Sequence, residues 1–375
     1  MLSGMYDVAI IGAGVIGLSL AWELAARGKK VRLLDRGAPG REASWAGAGI
    51  LPPANAQTAV HPYDKLRALS LELYSQWSEK LARETGHDIG YRPCGGVYVA
   101  RRPGEGAALR GWARLLETEG IEVHELSPRK LAEVEPGLAW LAESAELRGA
   151  CLVPGEAQVR NPRLLAALLA ACEKQGVEIS PHTEVTSFVH SPAGVTGFET
   201  SAGHVEARQY CVTSGAWTKD LFAPLGLSLR MAPIRGQMVL FRCERPPLTR
   251  VVNEGSRYLV PRDDGYMLAG ATEEEVGFDT SNTPEAVAEL AEFARLLVPA
   301  LRAAAVEKTW AGLRPGTHDG LPYLGRVAPF DNLFIAAGHF RSGLYLAPGT
   351  AVVMAELLTG RTPAIELAPF SVARG

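Results

Sequence analysis

Two arginines near the C-terminal end are of the residue type best suited to holding a small organic anion. Arg314 stands in Trp310-Ala311-Gly312-Leu313-Arg314-Pro315-Gly316-Thr317, and Arg341 in Gly338-His339-Phe340-Arg341-Ser342-Gly343-Leu344-Tyr345-Leu346-Ala347-Pro348. A guanidinium is a planar fork that takes a carboxylate through two parallel hydrogen bonds. The glycines and prolines around both predict loops, and a loop arginine beside a cofactor is well placed for an anionic substrate. A structural ion pair is the competing reading for either residue taken alone. Tyr258, in Arg257-Tyr258-Leu259-Val260, offers a polar tip on a strand, with plain core packing as its alternative. At the opposite end, Gly12-Ala13-Gly14-Val15-Ile16-Gly17 has the spacing that cradles a dinucleotide. Gly12 permits the tight turn, Gly14 lets the backbone approach a pyrophosphate, and Gly17 lets the next helix pack on the strand before it.

These residues need elements to position them. Tyr6 to Ile11 is an apolar run that predicts a strand, and Leu18 to Ala26 predicts the helix whose N–H groups and dipole face the phosphates. A second strand, Val31-Arg32-Leu33-Leu34, ends in Asp35, close to the roughly 20-residue spacing at which an acid holds a ribose hydroxyl. The small-residue stretch 41–50 then reads as a cofactor-lining loop, with a plain linker as the alternative. Apolar spacing predicts a helix over 64–85, a strand over 95–100 and a helix over 105–118. Asn161 is expected to cap a helix that has Pro162 at its first position. Residues 237–241, 257–260 and 266–269 read as antiparallel strands, the last two joined by a turn with Gly265. Thr283-Pro284 opens a helix to about Leu301. A strand over 333–337, a glycine loop and a helix over 350–358 close the chain. The fold class is therefore α/β: a Rossmann-like nucleotide domain with a second α+β substrate domain built on an antiparallel sheet. The expected division gives 1–85, 150–225 and 318–375 to the first, and 86–149 and 226–317 to the second.

Composition narrows the class. The 375 residues are 47% hydrophobic and 21% charged with a net charge of −3, which suits a globular enzyme and argues against a nucleic-acid surface. No apolar run reaches the ~20 residues of a membrane helix, and the first apolar segment is already the fingerprint strand, so a cytoplasmic protein without a signal peptide is expected. The five cysteines are scattered and odd in number, and no metal-binding spacing occurs, so neither disulfides nor a metal is expected.

The blocks Ser44-Trp45-Ala46-Gly47-Ala48-Gly49-Ile50, Val159-Arg160-Asn161-Pro162, Arg235-Gly236-Gln237-Met238, Arg257-Tyr258-Leu259-Val260-Pro261-Arg262, Gly312-Leu313-Arg314-Pro315-Gly316 and Gly338-His339-Phe340-Arg341-Ser342-Gly343 follow the fingerprint in order. Together they resemble the glycine oxidases of thiamine biosynthesis, within the D-amino-acid-oxidase-like flavoproteins. The resemblance implies FAD rather than NAD. It places Gly12, Gly14, Val15, Ile16 and Gly17 at the pyrophosphate turn, and Asp35 and Arg36 at the adenosine ribose. Ala43, Ser44, Ala48, Gly49 and Ile50 would line the cofactor loop, and Val185 would meet the adenine. His339, Phe340, Arg341, Ser342, Gly343, Leu344 and Tyr345 would wrap the flavin's reacting edge. Arg314 would clamp the substrate carboxylate with Tyr258, and Arg341 would lie beside substrate and flavin.

The same resemblance implies hydride transfer from a small amino acid's Cα–H to flavin N5, with dioxygen returning the flavin and yielding hydrogen peroxide. Glycine, sarcosine and small D-amino acids are the expected substrates, iminoglycine for the thiazole of thiamine is the expected use, and a homotetramer the expected assembly. No cysteine follows Cys243, so non-covalent FAD is expected. Ser256 and Glu273 depart from better-known members, which carry histidine and methionine there. The runner-up is a flavin amine dehydrogenase that reduces a quinone. A flavin-binding protein without turnover is a third reading, and an NAD enzyme leaves the C-terminal loop–helix unit without a role.

Overall fold

The computed structural model describes residues 5–191 and 194–374. A six-stranded sheet runs in the order Tyr323–Arg326, Leu333–Ala337, Ala207–Val212, Tyr6–Ile11, Val31–Leu34, Glu178–Ser180. Its neighbours are parallel, except that Tyr323–Arg326 runs antiparallel to Leu333–Ala337. These strands are apolar along their length because both faces are covered. On one face lie helices Val15–Ala26, Asn161–Lys174, Pro62–Thr85 and Gly343–Leu358, around a Trp22–Trp77 edge contact of 4.9 Å. On the other lies a small sheet, Val185–Ser191, Gly194–Thr200 and Gly203–Val205, packed through Phe198 onto Tyr210.

A second sheet of eight strands runs Ala305–Thr317, Met231–Arg242, Tyr266–Gly270, Arg257–Arg262, Val251–Glu254, Gly96–Ala100, Gly149–Val153, His124–Glu125. Only Val251–Glu254 beside Gly96–Ala100 is parallel. Side chains alternate across it. Val97, Val99, Val239, Phe241, Leu259 and Met267 face the helix Pro284–Leu297. Met238, Val260, Leu268, Tyr258 and Trp310 occupy the opposite face, toward the glycine turn.

Five local expectations change. Arg341 lies in a 3₁₀ turn, Phe340–Ser342, and the closing helix starts at Gly343 rather than at 350, so the stretch expected as a loop is largely helical. Arg314 lies on the strand Ala305–Thr317, not in a loop. That strand is the sheet's edge, where Pro315 removes no ladder bond the sheet needs. Asn161 is not a helix cap: Arg160 holds that place, and the Asn161 amide donates instead to Ser44 O at 3.1 Å and Gly47 O at 2.7 Å. The helix after Thr283 ends at Leu297, and a 3₁₀ turn, Pro299–Ala303, follows. The strand Gly149–Val153 pairs with Gly96–Ala100, so by strand pairing residue 150 still belongs to the eight-stranded sheet.

Candidate active site

A cavity of about 1050 Å³ is lined by residues of both large sheets. The C-terminal ends of Tyr6–Ile11, Val31–Leu34, Ala207–Val212 and Leu333–Ala337 feed loops into it, as parallel sheets do at ligand sites. Gly12 has φ +101°, and a Cβ there would fall 2.7 Å from Thr213 O; a Cβ on Gly17 would fall 1.9 Å from Gly12 O. Strand, turn and helix thus close on each other. Gly14, by contrast, has only Ser44 Oγ near its missing Cβ, at 3.2 Å. The Ser44 hydroxyl accepts from Val15 N–H at 2.9 Å and so serves the helix end that lacks a cap of its own. The Asp35 carboxylate accepts from Ala13 N–H at 2.7 Å and Gly37 N–H at 2.8 Å, which fixes it at the cavity wall. Arg36 lies over the Trp217 ring at 3.7 Å and pairs with Glu42 at 3.3 Å.

The small-residue loop is held from behind. Arg262, fully buried, donates to Gln158 Oε1 at 3.0 Å, Val159 O at 3.2 Å and Ala48 O. Burial pushes its guanidinium down to about 9. Trp310 Nε1 donates to Ala46 O at 3.0 Å. Small side chains are needed here: a Cβ on Gly312 would fall 2.4 Å from Ala46 Cβ.

At the far end of the cavity the three arginines of this region differ sharply. Arg235 is buried and neutralised by Glu274 at 2.6 Å and by Asp279. Arg341 is half exposed and lies 3.5 Å from Glu273. Arg314 pairs with no carboxylate among the described residues; its Nη1 donates to Thr272 O at 3.1 Å and Arg235 O at 3.5 Å. Such a guanidinium keeps donors available to an anion. Gly236 makes room for it, since a Cβ there would fall 2.2 Å from Arg314 Nη2. Tyr258 lies beside it, with Oη 3.6 Å from Met238 Sδ. Burial pushes the phenol up while Arg314 and Arg341 pull against it, so Tyr258 stays a hydrogen-bond donor. The Gly236→Ala enzyme should fold but displace Arg314, with kcat/KM reduced about 10²-fold for a misplacement of about 1 Å. Unchanged kinetics would show that the guanidinium moves aside without consequence.

The 3₁₀ turn Phe340–Ser342 and the first turn of the helix Gly343–Leu358 are fastened on several sides. Ser342 Oγ meets Tyr63 Oη at 3.1 Å, Arg67 Nε donates to Tyr345 Oη at 2.9 Å, and Tyr74 Oη donates to Leu344 O. His339 is buried against Thr350 Oγ1 at 3.1 Å, and burial pulls its pKa down to about 3. The folded ring is therefore neutral, whereas the unfolded ring gains a proton near pH 6.5. Stability is lost as pH falls from about 6.5 towards 3, at up to about 1.4 kcal/mol per pH unit from this group. Urea midpoints of His339→Gln should fall less steeply with acid by about one proton; an unchanged slope would mean the ring protonates in the folded state.

The family model for FAD dependent oxidoreductases matches residues 7–357. The chain belongs to that family. It is 38% identical to the glycine oxidase of Pseudomonas aeruginosa over 98% of each chain. It is 36% identical to the bifunctional protein ThiO/ThiG of Trichormus variabilis, covering 94% of this chain and 52% of that one. The crystal structure of glycine oxidase from Geobacillus kaustophilus superposes with a TM-score of 0.93 at 35% identity, covering 99% of each chain.

As a member of this family the chain uses FAD, and the residues present fit it. The Gly12–Gly14 turn leaves backbone open to a pyrophosphate, and the cavity runs on from there to Arg314. No cysteine lines it. Of the site residues expected from the sequence, all but Gly17 line this one cavity; Gly17 lies behind the turn as a packing contact. Others escaped the sequence reading. Ser214, Gly215 and Trp217 follow the strand Ala207–Val212 and line the cavity, and a strand ending in Ser-Gly was their signal. Tyr63 and Arg67 reach it from one face of the long helix, with nothing in the sequence to set them apart. Gly236 and Met238 were visible only inside a block of resemblance. No helix among the described residues is long and apolar enough to cross a membrane.

Proposed function

We propose that this chain oxidises glycine and other small amines, among them sarcosine and small D-amino acids, to the imine. Arg314 carries the reading: it is a cavity-lining guanidinium whose other partners are backbone carbonyls. The substrate carboxylate binds its free donors, and the Tyr258 hydroxyl adds a further bond. This fixes the Cα–H at the wall formed by His339 to Tyr345. Non-covalently bound FAD supplies the two-electron acceptor and its return by dioxygen, giving hydrogen peroxide. The protein contributes position and charge, and no side-chain base is needed if the amine enters neutral. Arg341, turned to Glu273, closes the site beside the substrate. The names of the glycine oxidase relatives support the substrate. The match to a ThiO/ThiG protein supports supply of iminoglycine to thiamine biosynthesis. The nucleotide unit comprises 1–85, about 154–225 and 318–375, with the intervening segments forming the substrate unit.

Purified enzyme with glycine in air should release peroxide equal to the oxygen consumed, and adding a soluble quinone should not raise the rate. Turnover only with quinone would replace the oxidase by a dehydrogenase.

A further inference from the structure

Glu156 is fully buried and forms no ion pair among the described residues. Tyr98 Oη donates to its Oε2 at 2.5 Å, and Asn253 Nδ2 to its Oε1 at 3.3 Å. The backbone is opened to admit it: a Cβ on Gly96 would fall 2.2 Å from Glu156 Oε1. Burial pushes the carboxyl up to about 7, with the two hydrogen bonds opposing. Nothing in the proposed reaction uses this group.

Its two partners face the cavity. Tyr98 is the register partner of Asn253, and Asn253 of Tyr258, so the three form one row on one face of the sheet. All three line the cavity, whereas Glu156 does not. Strands step by about 4.8 Å, so Asn253 lies one step and Tyr98 two steps beyond Tyr258, away from the edge strand that carries Arg314. The phenol's one hydrogen and the Asn253 amide nitrogen are both turned to Glu156. What remains is a phenol lone pair, Asn253 Oδ1, which makes no hydrogen bond among the described residues, and the second hydrogen of the Asn253 amide. The phenol lone pair and Oδ1 are acceptors, and they outnumber the one remaining donor.

We propose that Tyr98 and Asn253, oriented by Glu156, form an acceptor subsite for amino acids that carry a hydrogen-bond donor on a short side chain. The inference rests on reading the cavity as an amino-acid site. A site built to bond a hydroxyl rejects the analogue that lacks it, because its own polar groups are left unpaired.

The test is the ratio of kcat/KM for D-serine to that for D-2-aminobutyrate, a near-isosteric pair differing by hydroxyl against methyl. The holoenzyme should favour D-serine at least tenfold. Asn253→Leu and Tyr98→Phe should each bring the ratio down towards one, and the ratio cancels any general loss of activity. Glu156→Gln, which leaves the volume and alters only the polarity behind the two side chains, should lower it as well. If Asn253→Leu fails to retain FAD, Tyr98→Phe decides. A wild-type ratio near one, or a high ratio that survives Tyr98→Phe, overturns the subsite. Glycine assayed in parallel separates the two readings: glycine oxidised with a ratio near one removes the subsite alone, and no oxidation of any of the three amines removes both.

Discussion

Arg314→Leu should lower kcat/KM for glycine by about a thousandfold while FAD remains bound. Removing one partner of a desolvated charge pair costs roughly 2–5 kcal/mol, and each 1.36 kcal/mol is a factor of ten in rate. Little of that loss should appear as instability, because among the described residues Arg314 donates to two backbone carbonyls, of Thr272 and Arg235, lies beside Tyr258, and forms no buried ion pair. Arg314→Lys keeps the charge but loses the fork, so it should recover only part of the activity. Steady-state kinetics beside flavin content and Tm make the distinction. A large fall in Tm with kcat/KM preserved would assign Arg314 to structure. Arg235, with Glu274 and Asp279 on its guanidinium, should behave in that structural way.

Gly17→Val should abolish FAD retention. Even a single Cβ at this position would overlap Gly12 O at 1.9 Å and Thr213 Oγ1 at 2.6 Å. Thr213 Oγ1 itself donates to Ile11 O and Gly12 O, so the clash falls on the hydrogen bonds that shape the turn. The helix must retreat from the strand, and its N-terminus then loses its aim at the phosphates. The purified variant should be nearly colourless, with a flavin-to-protein ratio under one tenth of the parent's after gel filtration. Gly14→Ala is the contrasting case. Its added methyl meets only Ser44 Oγ, so the fold should persist and any weakening should fall on the ligand side. Normal FAD content in Gly17→Val would show that the turn accommodates the side chain and that the close packing is dispensable.

The nucleotide end was legible because its signals are contiguous: strand, Gly12, Gly14, Gly17, helix, second strand and Asp35 fall within thirty-odd residues, and each constrains the next. The substrate end was legible only in part. Arg314 stood out by type, but glycine and proline around it suggested a loop, whereas the segment runs as an edge strand with Pro315 in register with Pro233. Asn161 showed the reverse error. A local rule made it a cap, while its amide serves a loop more than 110 residues away. Gly236 and Tyr98 act across strands, and cross-strand register cannot be read before the pairing is known. The same holds for Arg262, whose bonds to Ala48 and Val159 join two segments far apart in sequence.

Adding glycine to the purified yellow protein without oxygen asks whether a small amino acid reduces the flavin in this cavity. The oxidised-flavin absorbance should bleach and return when air is admitted, and Arg314→Leu should bleach about a thousandfold more slowly at subsaturating glycine. A flavin that stays oxidised with glycine, sarcosine and small D-amino acids, in protein that retains FAD, would contradict the proposed function.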